Sequence, residues 1–177
     1  KSKSSVAVAV LAVLIIFYVA YAFRKVSEPV SSWKYGLLTI VAALHDMIIP
    51  LGVFAVLGVF ADYTVDSTVI AALLTILGYS INDTIVVFDR TRENLLDHHN
   101  ARDEFADIVD LSVRQSFARS INTSLTTLIV LLAIYFFGGE TTQPFVLTLI
   151  IGVIAGAYSS IFLASPLLVM WQGKLEE

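Results

Sequence analysis

Long apolar runs separated by short polar breaks set the pattern of this chain. Val6 to Phe23 is a run of 18 residues without a charge, an amide or a hydroxyl other than those of tyrosine. At about 1.5 Å per residue it nearly crosses a hydrocarbon layer about 30 Å thick. Lys1 and Lys3 before it also fit a signal peptide, but the run exceeds a typical signal core and no small-residue cleavage site follows. The stretch RKVSEPVSSWK at 24–34 breaks the pattern, and Trp33 with Tyr35 marks an interface before a second span at about 36–59. After the acidic turn ADYTVDST, 61–68, a third span runs over about 69–88, a fourth over about 117–137 and a fifth over about 145–170. GGETTQP, 138–144, places glycine and proline where a helix should stop. The pattern predicts an all-α, polytopic membrane helix bundle with five spans.

Between spans three and four lies the only sizeable polar stretch, RTRENLLDHHNARDEFADIVDLSVRQ. Phe105, Ile108, Val109 and Ser112 fall three to four apart, and Leu95 with Leu96 adds an apolar patch before DHHN. That spacing predicts a cytoplasmic, interfacial amphipathic segment over 91–114, in two pieces. A solvated charged linker is the competing reading. In span five, Gly152, Gly156 and Ser160 recur every four residues beside Ala155 and Ser159, a small-residue face that lets another helix approach closely. Packing alone explains it.

Composition agrees with a bilayer as solvent: 57% of the residues are hydrophobic and 15% charged, against about 25% charged in ordinary soluble domains. A net charge of −4 argues against nucleic acid as a partner. The absence of cysteine excludes disulfides, thiol catalysis and thiolate metal sites. If every span crosses, Arg24, Lys25, Lys34, Arg90, Arg92, Arg102, Arg114 and Lys174 share one side, while the opposite turns carry Asp62, Asp66 and Glu140 and no base. The positive-inside rule makes the basic side cytoplasmic, with the N-terminus of the chain outside and its C-terminus inside. An outward N-terminus also hints that another span precedes residue 1.

Three charges lie at membrane depth. Asp46 stands eleven residues beyond Tyr35, about 16 Å into the bilayer and close to its midplane. Asp83 is six residues before Asp89 and Arg119 five residues after Arg114, about 9 Å and about 7–8 Å deep, and those matching depths permit an ion pair. Each such charge costs about 2.5–3.5 kcal/mol at a helix centre, so such residues face a protein interior and often mark ion paths. A pair that only holds helices together, or an Arg119 that snorkels to headgroups, are the bland readings. Arg119, Asn122, Thr123 and Thr126 form a polar stripe on span four, and Asn82, Asp83 and Thr84 cluster on span three. A hydrated internal path joining them is the more economical account.

Pro50, four residues after Asp46, removes a backbone hydrogen bond at the Asp46 carbonyl. His45 adjoins Asp46 but projects about 100° away on a helix, which makes a shared metal site unattractive. His98 and His99 have no metal-ligand spacing around them, so no metal is expected. No phosphate loop, cofactor motif or catalytic triad is visible, and work would have to draw on an ion gradient or a partner.

The stretch LLTILGYSINDTIVVFDRTREN, 73–94, closely resembles the signature of the SecF protein-export family. His45–Asp46 inside an apolar helix and ARSINTSLTT, 118–127, resemble further SecF elements in the same order. With the five-span layout the likeness covers essentially the whole chain. It implies a relative of proton-driven exporters, in which SecD and SecF form two pseudo-symmetric halves; this chain would be helices two to six of SecF, without the first helix and the periplasmic domain.

On that resemblance, Asp83 in SINDT corresponds to the proton-pathway aspartate and Arg119 in ARSINTS to its arginine partner. Asp46 matches a family position of less defined role, and Asn122 and Thr126 line the same pathway. The implied function is proton-motive-force-coupled assistance to preprotein translocation across the bacterial inner membrane, with SecD, the SecYEG translocon and membrane lipids as partners. It involves no covalent chemistry, and the chain is not expected to be an enzyme or to hold a cofactor. A small-molecule or lipid exporter half of the same superfamily, or a non-conducting scaffold subunit, are the alternatives.

Overall fold

The computed structural model describes residues 13, 17, 21, 32–61, 63–97 and 105–173. The first expected span, 6–23, lies outside the described residues apart from Val13, Phe17 and Tyr21, which are helical. Arg24, Lys25, Asp62, His98, His99, Arg102 and Lys174 also lie outside them.

The described chain is an all-α bundle. Helix α1 covers Ser32–Phe60, α2 Ser67–Asp97, α3 Phe105–Phe137 and α4 Gln143–Ser159, the last entered through a 3-10 turn at Glu140–Thr142. One π turn, Ser160–Ala164, joins α4 to α5, Ser165–Gly173. Among the described residues, four stretches are long and apolar enough to cross a membrane: Trp33–Phe60, Ser67–Asp97, Phe105–Phe137 and Glu140–Gln172.

Local chemistry sets the ends. Asp66 caps α2, its Oδ1 accepting from the backbone N–H of Thr68 at 2.9 Å and of Val69 at 3.0 Å, which satisfies donors that a helix start leaves open. Gly138 follows α3 with its N–H on the Ile134 carbonyl at 2.7 Å, and Pro144 falls in the first turn of α4, where its missing N–H costs nothing. Helix α1 runs through Pro50.

Helix α2 is the centre of the bundle, packing on α1, α3 and α4. The apolar stripe of α1 recurs at helical spacing, and its two ends lie in two separate clusters. Tyr35, Leu38 and Ala42 pack with Phe88, Val109, Ala164 and Leu168. Phe54 packs with Val69, Leu73 and Ile76, so α1 and α2 run antiparallel. Between these clusters, Ala43 meets Leu77 and Ile81.

The small-residue face of α4 performs the close packing expected of it. A Cβ on Gly152 would lie 2.3 Å from Ile76 Cδ1 and Cγ1, so only glycine lets α4 come this near α2. Outward positions of α3 such as Leu125, Ile129 and Phe137 stay exposed.

Within the stretch 91–114, residues 91–97 continue α2 and residues 105–114 open α3. Ile108, Val109 and Ser112 are buried against the bundle, and Asn94 Nδ2 donates to Ser112 Oγ at 2.8 Å and to Gln115 Oε1 at 2.9 Å. The spacing that suggested burial in headgroups is satisfied by protein neighbours, because an apolar helical stripe does not specify what covers it.

Candidate functional site

Asp46 falls on the inward stripe of α1, with Tyr35, Thr39, Ala42 and Phe54, and is wholly buried. Its Oδ2 accepts hydrogen bonds from Ser80 Oγ on α2 at 2.5 Å and Ser159 Oγ at the end of α4 at 2.6 Å. His45 Nδ1 lies 3.0 Å from its Oδ1. The side chains of residues 45 and 46 do diverge on the helix, but the imidazole, about one-third exposed, folds back across that angle. Gly156 lies beside the carboxylate, where a Cβ would be in ordinary contact, 3.5 Å from Asp46 Oδ2 and 3.6 Å from Ser80 Cα.

Asp83 is buried on α2 one turn beyond Ser80, and its Oδ2 accepts from Ser160 Oγ at 2.6 Å. Two carboxylates from two helices are thus held by successive serines of a third segment. The α4–π junction supplies both hydroxyls, and the Ser165 hydroxyl bonds the Ser160 carbonyl, five residues back, at 3.1 Å. Burying a carboxylate without such donors is costly, and a charge-assisted hydrogen bond is roughly twice as strong as a neutral one.

Arg119, Asn122 and Thr126 stand elsewhere. All three are exposed on α3. Thr123 Oγ1 donates to the Arg119 carbonyl at 2.8 Å, and Thr126 Oγ1 to the Asn122 carbonyl at 3.0 Å, so the threonine hydroxyls are spent on their own helix. Similar depth permits an Asp83–Arg119 ion pair, but the pair is not formed. The face of α3 turned inward carries the buried serines 112, 116, 120 and 124, and Arg119, one residue before Ser120, is rotated about 100° from that row. The single internal path expected from the sequence therefore separates into a buried part, Asp46 with Asp83, and an outward part, Arg119 with Asn122 and Thr126.

Sequence reading missed Ser80, Ser159 and Ser160 as partners of the aspartates. The last two were read as packing residues because small side chains at four-residue spacing suffice for packing. The available signal was their hydroxyl: an alanine would pack as closely. Thr84 Oγ1 and Ser120 Oγ are buried with no hydrogen-bond partner among the described residues. Among those residues no group of three or more histidine, cysteine, aspartate or glutamate side chains is arranged to hold a metal ion.

Against known proteins, residues 1–174 match the family model described as protein export membrane protein SecD/SecF, C-terminal. The chain is 48% identical over 174 residues to the protein translocase subunit SecF of Thermobaculum terrenum, covering 98% of this chain and 53% of that protein. It is 46% identical over 165 residues to that of Sebaldella termitidis, covering 93% of this chain and 49% of that protein. With the protein translocase subunit SecDF of Thermus thermophilus it shares 42% identity over 163 residues, which are 91% of this chain and 20% of that one.

A crystal structure of SecDF in a super-membrane-facing form superposes with a TM-score of 0.83 at 41% identity, covering 96% of this chain and 21% of that chain. The chain thus spans about half the length of the curated SecF relatives it matches. Matched along nearly all of its sequence and alike in fold to SecDF, this multi-pass inner-membrane chain belongs to the SecD/SecF family of protein export membrane proteins, as a SecF C-terminal region.

Proposed function

We propose that this bundle is the membrane part of a SecF subunit that couples the proton motive force to preprotein translocation, working with SecD and the SecYEG translocon. The observation that carries this reading is the pair of buried, serine-bonded carboxylates, Asp46 and Asp83, inside an apolar bundle. A carboxylate is an acceptor only; once protonated it also donates. A proton on the Oδ2 of either site therefore makes that oxygen a donor, and a neighbouring hydroxyl turns to accept from it.

Arg119, Asn122 and Thr126 lie on an outward face, where a SecD half would pack and complete the conduit. Intramembrane charges that face no protein are expensive, so the exposed stripe on α3 supports a partner there. The proton cycle would move the periplasmic domains of the whole SecD–SecF assembly, which would engage the emerging preprotein. The basic helix ends then face the cytoplasm, and the chain begins outside. No covalent chemistry is involved.

The test is proton flux and preprotein export in membranes containing the full SecD–SecF complex, with assembly checked. Asp83→Asn and Arg119→Ala are each expected to abolish both activities in assembled complexes. Normal flux and export in both variants would sink the proposal and leave a non-conducting scaffold.

A further inference from the structure

Two adjacent hydroxyls in this chain reach two carboxylates on different helices. Ser159 Oγ lies 2.6 Å from Asp46 Oδ2 on α1, 113 residues away in sequence, and Ser160 Oγ lies 2.6 Å from Asp83 Oδ2 on α2, 77 residues away. In a regular helix successive side chains diverge by about 100°. Here each reaches a different neighbour, and the π turn begins at the second of them. π turns are uncommon and frequently fall at functional sites.

Each serine also has a second acceptor within reach. Ser159 Oγ is 3.3 Å from the Gly156 carbonyl, and Ser160 Oγ is 3.3 Å from the Ala157 carbonyl. A serine hydroxyl has one proton and two lone pairs. Beside an ionised carboxylate it donates to that carboxylate. When the carboxyl gains a proton, the carboxyl O–H donates to the serine oxygen, and the serine proton turns to the carbonyl three residues back. The proton count balances, and no heavy atom has to leave its place.

We propose that Ser159 and Ser160 are positioning residues for proton handling, each exchanging donor for acceptor as its aspartate gains or loses a proton. This rests on the proton-coupled reading of the same site. The two aspartates are unequal within it. Asp46 keeps Ser80 and His45 if Ser159 is lost, whereas Ser160 supplies the only hydrogen bond Asp83 makes among the described residues.

The surrounding charges are few. Helix α1 carries Lys34 and His45 besides Asp46; α3 carries Asp107, Asp110, Arg114 and Arg119; the segment from Gln143 to Gly173 carries none. Among the described residues, only His45 brings a basic nitrogen within ion-pair distance of either carboxylate. On α2 itself, Asp89, Arg90, Arg92 and Glu93 pair among themselves near its end. Ser160 is therefore the group with the most direct hold on Asp83.

The experiment follows the infrared bands of the protonated carboxyls across a pH titration, in the full-length protein assembled with its SecD partner in lipid nanodiscs. Asp46→Asn and Asp83→Asn assign the bands. In Ser160→Ala the Asp83 band is expected to move in frequency at a pH where both proteins show it, since its O–H loses the serine oxygen to which it donates. Ser159→Ala is expected to move the Asp46 band by less, and Ser160→Thr, which keeps the hydroxyl, to keep the parent band.

A parent-like Asp83 band in Ser160→Ala, or an equal displacement in Ser160→Thr, would overturn the inference and reduce the pair to packing. If Ser160→Ala does not assemble, Ser160→Cys keeps the volume with a weak donor, and a parent-like band there overturns it equally. The bands report carboxyl chemistry whether or not protons drive export. Displaced bands alongside normal flux and export in Asp83→Asn and Arg119→Ala would therefore remove the proposed function while the hydroxyl exchange stood.

Discussion

The inner and outer polar groups of this bundle solve the same problem in opposite ways. Asp46 and Asp83 are satisfied by hydroxyls from other helices, distant in sequence. The threonines of the outer stripe, Thr123 and Thr126, bond carbonyls one turn back on their own helix, and Arg119 remains exposed. Tertiary hydrogen bonds tie polarity to the fold; local ones leave a helix complete in itself and its outward face open to a partner. The inner group should therefore govern the stability of the chain as well as its proton chemistry, and the outer group its contact with a partner.

The largest effect that would break this comparison comes from Asp46. Asp46→Ala strips Ser80 and Ser159 of their acceptor and leaves a cavity beside Gly156. A loss of about 3 kcal/mol in resistance to unfolding in detergent is expected, as for breaking other buried, hydrogen-bonded charges. Arg119→Ala should change the same measurement by less than about 0.5 kcal/mol, as exposed side chains do. Equal losses at the two positions would show that the outer stripe holds this fold together, and the contrast would fall.

A smaller effect sharpens the inner half of it. Gly152→Ala drives a Cβ into Ile76, whose Cδ1, Cγ1 and Cγ2 would all stand within 2.7 Å. Because Ile76 is itself fully buried, overpacking by about 1–3 kcal/mol is expected. Ile76→Ala in the same chain should recover part of that loss, read as a coupling energy in a double-mutant cycle. Gly156→Ala meets its neighbours at 3.5 Å or more and should cost less than about 1 kcal/mol. If the two glycines respond alike, close helix approach is not what distinguishes them.

Much of this was legible before any coordinates. The apolar runs give four of the long helices within a few residues at the membrane turns, because their breaks carry aspartate, glycine and proline with definite roles. That α2 continues as far as Asp97 and that α3 is already formed at Phe105 was not legible, since polar residues continue a helix as readily as they end one. Asp46 and Asp83 could be picked out by depth alone. Their partners could not: a serine on an apolar helix reads as a small residue until a carboxylate is placed opposite it, and only the tertiary register of α1, α2 and α4 does that. Depth likewise brought Asp83 and Arg119 level but carried no information about the angle around each helix.

The smallest expected effect concerns a third way of holding a carboxylate, outside the apolar segments. Asp66 is exposed, and the Thr68 side chain, with the N–H groups of Val69 and Thr68, holds its carboxyl below the ordinary value of 3.8. Because the folded value is the lower one, the cap contributes fully above the ordinary value and is lost as pH falls through the lowered one. Hydrogen exchange, corrected for intrinsic rates, should show the first turn of α2 losing protection only in that acidic window. Asp66→Asn, which caps without ionising, should hold its protection constant there. A variant that frays with the parent's pH dependence would assign the loss to another carboxyl. A parent with no acid fraying at all would show that α2 is held at this end by Val69 and Leu73 in the core. Local capping would then matter as little to this helix as the back-bonded threonines do to the interior of α3.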